Sequence, residues 1–164
     1  MFQLVADTFD FDASLPIDAV IYIRDTEKEE KHIDKTTLLT IKSREGNKFR
    51  IRIDWFNLSS SETEFKTLLV QESAYLFFGA RFSWGLIDLN EGAILRKENC
   101  VQFLDFLRMK NTIVAITELE ALAINLKGDT IHAVPIDPPF EFKKQEDGIL
   151  FQSPVHGKQL LKIE

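Results

Sequence analysis

The sequence predicts an all-β or strongly β-dominated fold of roughly ten to twelve short antiparallel strands, and three observations carry that expectation. The first is residues 112–142, TIVAITELEALAINLKGDTIHAVPIDPPFEF. Ile113 and Ala115, then Leu119, Ala121 and Ala123, occupy every second position, and Ile131, Ala133 and Ile136 resume the pattern. Period-two apolarity cut by glycine and proline is the signature of half-buried strands. The second is a hairpin pattern over residues 37–54, in which Phe49, Ile51 and Ile53 alternate with Arg50 and Arg52. The third is a weak internal repeat at a shift of 37 residues, which sets FSWGLIDL at 82–89 on LEALAINL at 119–126. The same shift places Ile94 on Ile131 and Phe103 on Phe140, and a glycine turn follows in each copy, Gly92 and Gly128, one residue out of register. A period near 40 is that of a four-stranded propeller blade. Two units cannot close a ring, so the repeat reads as two similar β-meanders. A sandwich, a barrel-like arrangement or two packed meanders all satisfy these observations, with one or two short helices interrupting them.

Taken in order, residues 2–6 form a candidate first strand, followed by a turn-rich segment in which Phe9 and Phe11 alternate with Asp10 and Asp12. Residues 17–24, IDAVIYIR, alternate strongly, and Val20 and Tyr22 make the second face partly apolar as well. Such a two-sided pattern suits an inner or covered strand. Residues 25–35 form a charged loop, and 44–47, REGN, connect the two arms of the hairpin. Helix competes with strand twice. Residues 59–71 offer Ser61 and Glu64 at capping-box spacing, then Phe65, Leu68 and Leu69. Residues 100–109, CVQFLDFLRM, fit both periods. Lys127-Gly128-Asp129 is turn chemistry, since glycine tolerates positive φ and aspartate can bond its own backbone. A final hairpin spans residues 148–163 around Ser153-Pro154-Val155-His156-Gly157. Phe49, Ile51, Ile53, Leu86, Ile124 and Ile131 are expected in the core. The whole reads as one β-rich domain over residues 1–164. A soft subdivision near the small, polar residues 57–63 separates an acidic N-terminal part, 1–60, from a double meander, 61–164.

Charge is unevenly placed. Of 26 acids and 20 bases, residues 1–34 hold nine acids against Arg24, Lys28 and Lys31, which is the entire net charge of −6. An acidic chain repels phosphate backbones, which disfavours nucleic acid and allows a basic protein partner. Cys100 is the only cysteine, so no internal disulfide can form. The first residues, MFQLVADTFDFD, lack the basic and long apolar regions of a secretory signal. No apolar run approaches the ~20 residues that cross a bilayer. A cytoplasmic setting without membrane contact is the expectation.

No phosphate-binding glycine loop, nucleophile elbow or paired-histidine zinc motif occurs. His32, His132 and His156 are widely spaced, and neither a metal nor a cofactor is expected. The chain therefore reads as a non-enzymatic binding protein of microbial type that meets a basic protein through its acidic N-terminal third. Glu27, Glu29 and Glu30 are its candidate charged residues. A second candidate surface is Arg81, Phe82 and Trp84, residue types that interaction hot spots favour. Two alternatives stand beside this reading. One is a carboxylate-dependent enzyme using Asp88, Asp129 or Asp137 at turn positions. The other is an oligomeric scaffold whose strand edges pair between chains.

Overall fold

Among the described residues the alternation seen in sequence becomes fifteen β-strands, and no helix occurs. A computed structural model describes residues 1–15, 21–25, 33–43, 45, 46, 48–56 and 64–163. The chain divides into two compact units, Met1–Asn99 and Cys100–Glu164. The soft boundary expected near residues 57–63 lies outside the described residues.

The first unit contains two four-stranded sheets. One joins β1 (Gln3–Asp10), β3 (Lys35–Lys42), β4 (Lys48–Trp55) and β2 (Ile21–Arg24) in the order β1-β3-β4-β2. The β3–β4 hairpin is the one expected, with Gly46 at φ 86° in its turn. Two features depart from expectation. β2 runs parallel to β4, so the sheet is mixed. β2 is also an edge strand; of its second face, Val20 lies outside the described residues and Tyr22 lies beside the Arg52 guanidinium, 6.0 Å from ring centre to Cζ. The other sheet is a meander of β5 (Lys66–Val70), β6 (Tyr75–Ala80), β7 (Ser83–Asp88) and β8 (Ala93–Asn99). Ile21, Ile23, Leu39, Ile41, Ile51, Ile53 and Trp55 of the first sheet bury against Leu76, Phe78, Ala80 and Ile87 of the second. The alternate residues of strands in both sheets thus share one apolar layer, as face-to-face sheet packing requires.

The second unit contains a meander of β9 (Phe103–Met109), β10 (Thr112–Thr117), β11 (Glu120–Asn125) and β12 (Thr130–Pro135). Beside it is a three-stranded sheet of β13 (Glu141–Lys144), β14 (Gly148–Ser153) and β15 (Gly157–Lys162). Val114, Ile116, Ala121, Ala123 and Val134 bury with Ile149, Phe151 and Leu161. The Lys162 N–H also donates to Nδ1 of His132 at 3.1 Å, stitching β15 to β12.

In the two segments where a short helix was expected, 59–71 and 100–109, the described residues hold strands, Lys66–Val70 and Phe103–Met109, while residues 59–63, Ser61 among them, lie outside the described residues. Residues 66–70 pair one for one with β6, and 103–109 pair with β10. A neighbouring strand satisfies every second backbone group of such a segment and buries one face of it, and that tertiary pairing outweighs a local helical pattern.

The 37-residue repeat is structural. β5 and β9 begin at Lys66 and Phe103, β6 and β10 at Tyr75 and Thr112, β7 and β11 at Ser83 and Glu120, β8 and β12 at Ala93 and Thr130, each pair 37 residues apart. A β-bulge falls between Leu86 and Ile87 in the first copy and between Ala123 and Ile124 in the second, again 37 apart. The turn after it repeats as well. Asp88 Oδ1 accepts from the Asn90 N–H at 2.8 Å, and Asn125 Oδ1 from the Lys127 N–H at 2.9 Å. One pair of positions is exchanged in size. Phe78 faces Gly85 in the first copy, and the equivalent Ala115 faces Leu122 in the second. A Cβ on Gly85 would stand 2.4 Å from the Phe78 ring, so the ring fills the space that a side chain would take.

Of the six expected core residues, Ile51, Ile53, Leu86 and Ile124 are buried, and Phe49 and Ile131 are partly buried. Gly128 sits at φ 93°, in the left-handed region that the Lys127–Asp129 turn demands.

Candidate interaction surface

The β1-β3-β4-β2 sheet turns one face to the core and the other away from it. Strand register places Asp7, Leu38, Arg52 and Tyr22 in one row of that outer face, and Phe9, Thr36, Asp54 and Arg24 in the next. The middle of this face is a closed polar network. Asp54 Oδ1 accepts from Arg52 Nε at 2.9 Å and from the Thr36 hydroxyl at 2.7 Å, while Oδ2 accepts from the Tyr22 hydroxyl at 2.9 Å. Arg24 Nε donates to the Tyr22 oxygen at 3.1 Å. Burial first, and then the bond to the Asp54 carboxylate, pushes the Tyr22 phenol up. A buried carboxylate is tolerated when its lone pairs are filled in this way.

Alternation with Phe49, Ile51 and Ile53 puts Arg52 on the face turned away from the core, yet it is 2% exposed. The chain beyond β1 accounts for this. Arg52 Nη1 donates to the Leu15 carbonyl at 2.5 Å and Nη2 to the Asp12 carbonyl at 3.3 Å, and the Phe11 ring lies 5.9 Å from its Cζ. Residues 11–15 are thus tied across the face, and the guanidinium fork is filled on one side by a carboxylate and on the other by carbonyls. Asp12 shapes that segment by accepting from the Ser14 hydroxyl at 2.7 Å and its N–H at 2.8 Å, which hold its carboxyl below the usual range. On the core side, Trp55 Nε1 donates to the Thr37 hydroxyl at 3.0 Å, and that hydroxyl bonds Thr8 at 2.9 Å, fastening β1 to the sheet.

Beside this network lies the edge of β1. The strand pairs with β3 over all eight residues without a register shift. Along it Leu4 alone is half-buried and the rest are exposed, Val5 and Phe9 at 52% and 48%. Antiparallel pairing aims the backbone groups of alternate residues at the partner strand. The Phe11 N–H donates to the Asp34 carbonyl, so odd-numbered residues face β3 and Leu4, Ala6, Thr8 and Asp10 direct their N–H and C=O groups outward. Phe2 obeys the same parity. Its N–H donates to Gln71 Oε1 at 2.7 Å and its carbonyl accepts from Gln71 Nε2 at 2.8 Å, so a side-chain amide caps the start of this edge as a strand backbone would.

Asp25, which sequence reasoning did not single out, is 1% exposed at the end of β2. Its N–H donates to the Asp54 carbonyl at 2.8 Å, and Oδ1 accepts from the Ser83 hydroxyl. Burial pushes its carboxyl above the usual range, against the Ser83 bond.

The other residues singled out from sequence fall in several places. Glu27, Glu29 and Glu30 lie outside the described residues. Trp84 is buried in β7 with Arg96 4.7 Å from its ring centre. Arg81 and Phe82 are half-buried at the β6–β7 turn, Arg81 lying 5.3 Å from the Phe82 ring, which stacks on Phe56 at 5.6 Å. Asp88 and Asp137 accept backbone N–H bonds in turns, Asp137 from Val155 at 3.1 Å and His156 at 3.3 Å. Asp129 accepts from the Asn125 amide at 3.4 Å. Among the described residues no cluster of three or more His, Cys, Asp or Glu is arranged to hold a metal ion, and no helix is long and apolar enough to cross a membrane.

No protein-family model matches the chain, and no curated protein matches it. Among solved structures it is similar to Kluyvelomyces marxianus Hsv2, at 11% identity and a TM-score of 0.32, over 57% of this chain and 33% of that one. The chain spans about a third of that protein's length, and so slight a likeness carries no argument about either molecule.

Proposed function

We propose that the chain is a non-enzymatic binding module that meets a basic protein partner through its acidic N-terminal third, in a reducing, cytoplasmic setting suited to its single cysteine. The observation that carries this reading is β1. Its sequence, QLVADTFD, exposes apolar and acidic side chains together on a strand that, among the described residues, is paired on one side only. An acidic, partly apolar surface attracts a basic partner over a distance and retains it by burying Val5 and Phe9.

Association with a Lys-rich synthetic peptide tests the reading. The on-rate should fall as the Debye length shrinks from about 10 Å at 0.1 M salt to about 3 Å at 1 M. Replacing Glu27, Glu29 and Glu30 by Gln should slow association, while replacing Glu141, Glu146 and Asp147 by the amides should leave it unchanged. Equal slowing by both triple variants would mean that net charge alone acts, and would end the claim for an N-terminal site.

A further inference from the structure

We infer that the outward edge of β1 is a strand-addition site, and that it takes an extended segment of a partner protein in which a Lys or Arg is flanked, two residues to either side, by apolar residues. The inference rests on the binding-module reading and gives it a register and a chemistry.

An edge strand with free N–H and C=O groups is a template for pairing, and proteins blunt such edges with short strands, charged side chains (Lys above all), proline or bulges. The edge strands of the described sheets use these devices, with β1 as the exception. β2, β5 and β13 have four, five and four residues, and β13 carries Lys143 and Lys144. β8 and β12 lie against bulges, and β12 ends in Pro135. A bulge also interrupts the pairing of β9. β15 carries Lys158 and Lys162. β1 is eight residues long, without bulge, proline, lysine or arginine. Its acids do not cover it, because Asp7 projects from the outer face and Asp10 leans onto Lys35 at 2.5 Å.

The side chains name the occupant. On the outer face Val5, Asp7 and Phe9 stand in line, apolar, acidic, apolar. A strand added at this edge would set its own alternate side chains beside them, and a cation opposite Asp7 between two apolar residues satisfies both charge and burial. Its backbone would bond Leu4, Ala6, Thr8 and Asp10. The Gln71 amide already fills the edge at Phe2, so the added strand starts after it.

The probe is a short synthetic peptide, Thr-Val-Thr-Lys-Thr-Val-Thr, which sets one Lys between two Val on the same face, compared with its Glu-for-Lys counterpart. Ala6→Pro removes an outward donor, and an edge strand tolerates proline where its N–H faces away from the sheet. That variant should weaken binding of the Lys peptide about tenfold, the effect of one lost hydrogen bond and a disturbed neighbour. Asp7→Asn should weaken it about threefold at low salt and less at high salt. If Ala6→Pro fails to fold, a peptide with isotope-labelled carbonyls bound to the parent protein replaces it, and its infrared amide band should move to the position of paired strands. Full affinity in Ala6→Pro, or a labelled band left at its free position, would overturn strand addition while Asp7→Asn still reported an acidic binding surface. Equal binding of the Lys and Glu peptides would overturn both readings. Self-association of the chain that the Lys peptide cannot displace would assign the edge to a second copy.

Discussion

At the scale of single residues, stability concentrates where charges are buried. Arg52 and Asp54 are 3% and 1% exposed at their side chains and are joined by one bond, Nε to Oδ1, the rest of each group's capacity being met by neighbours. Arg52→Ala would leave the Asp54 carboxylate with Thr36 and Tyr22 and would strip the Asp12 and Leu15 carbonyls of their guanidinium donor. A loss of about 3–5 kcal/mol by denaturant titration is expected, the cost of stripping one partner from a buried pair. Asp25 presents the opposite case. Burial raises its folded pKa, so the folded state favours the protonated form. The stability it contributes is therefore complete below the unfolded carboxylate pKa and is lost as pH rises through the folded one. Asp25→Asn should melt higher than the parent at neutral pH and no higher in acid. A gain of the same size at both pH values would contradict the assignment. Gly128→Val, forced to a φ that β-branched residues avoid, should cost about 1–3 kcal/mol.

At the scale of elements, the repeated meander gives the sharpest test of packing. Phe78→Ala alone should cost about 3–5 kcal/mol by leaving a cavity. Gly85→Leu alone should cost about 1–3 kcal/mol by overpacking. The double variant reproduces the Ala115–Leu122 arrangement of the second copy, and its loss should fall well below the sum of the two, as contacting residues couple. Strict additivity would show that the two meanders do not share a packing plan. The repeat was legible in sequence because FSWGLIDL and LEALAINL keep their apolar positions. Its glycines are out of step by one because Gly92 and Gly128 sit in turns that are bonded differently, Asp88 reaching Glu91 and Asn125 reaching Asp129. The strands at 66–70 and 103–109 were ambiguous in sequence, since a short apolar run reads as helix or strand until a neighbour pairs with it. The parallel placement of β2 left no local trace, because strand direction is set by which strand it meets.

At the scale of the whole molecule, alternation determined the all-β class, and charge counting located the acidic third. Counting could not show that Arg52 is buried or that residues 11–15 cover it, since both depend on a chain segment crossing a sheet that lies far away in sequence. Nor could it show that β1 is an edge. Edge and centre differ in what lies beside a strand, and QLVADTFD would read the same in either place.

Residue-by-residue amide hydrogen exchange along β1 tests the central claim most directly. In the free protein Val5, Asp7 and Phe9, bonded to β3, should exchange slowly, and Leu4, Ala6 and Thr8 quickly. Adding the Lys peptide should slow Leu4, Ala6 and Thr8 and leave the other three as they were. Slow exchange at all six residues in the free protein, or no change on adding the peptide, would contradict an open edge that receives a partner strand.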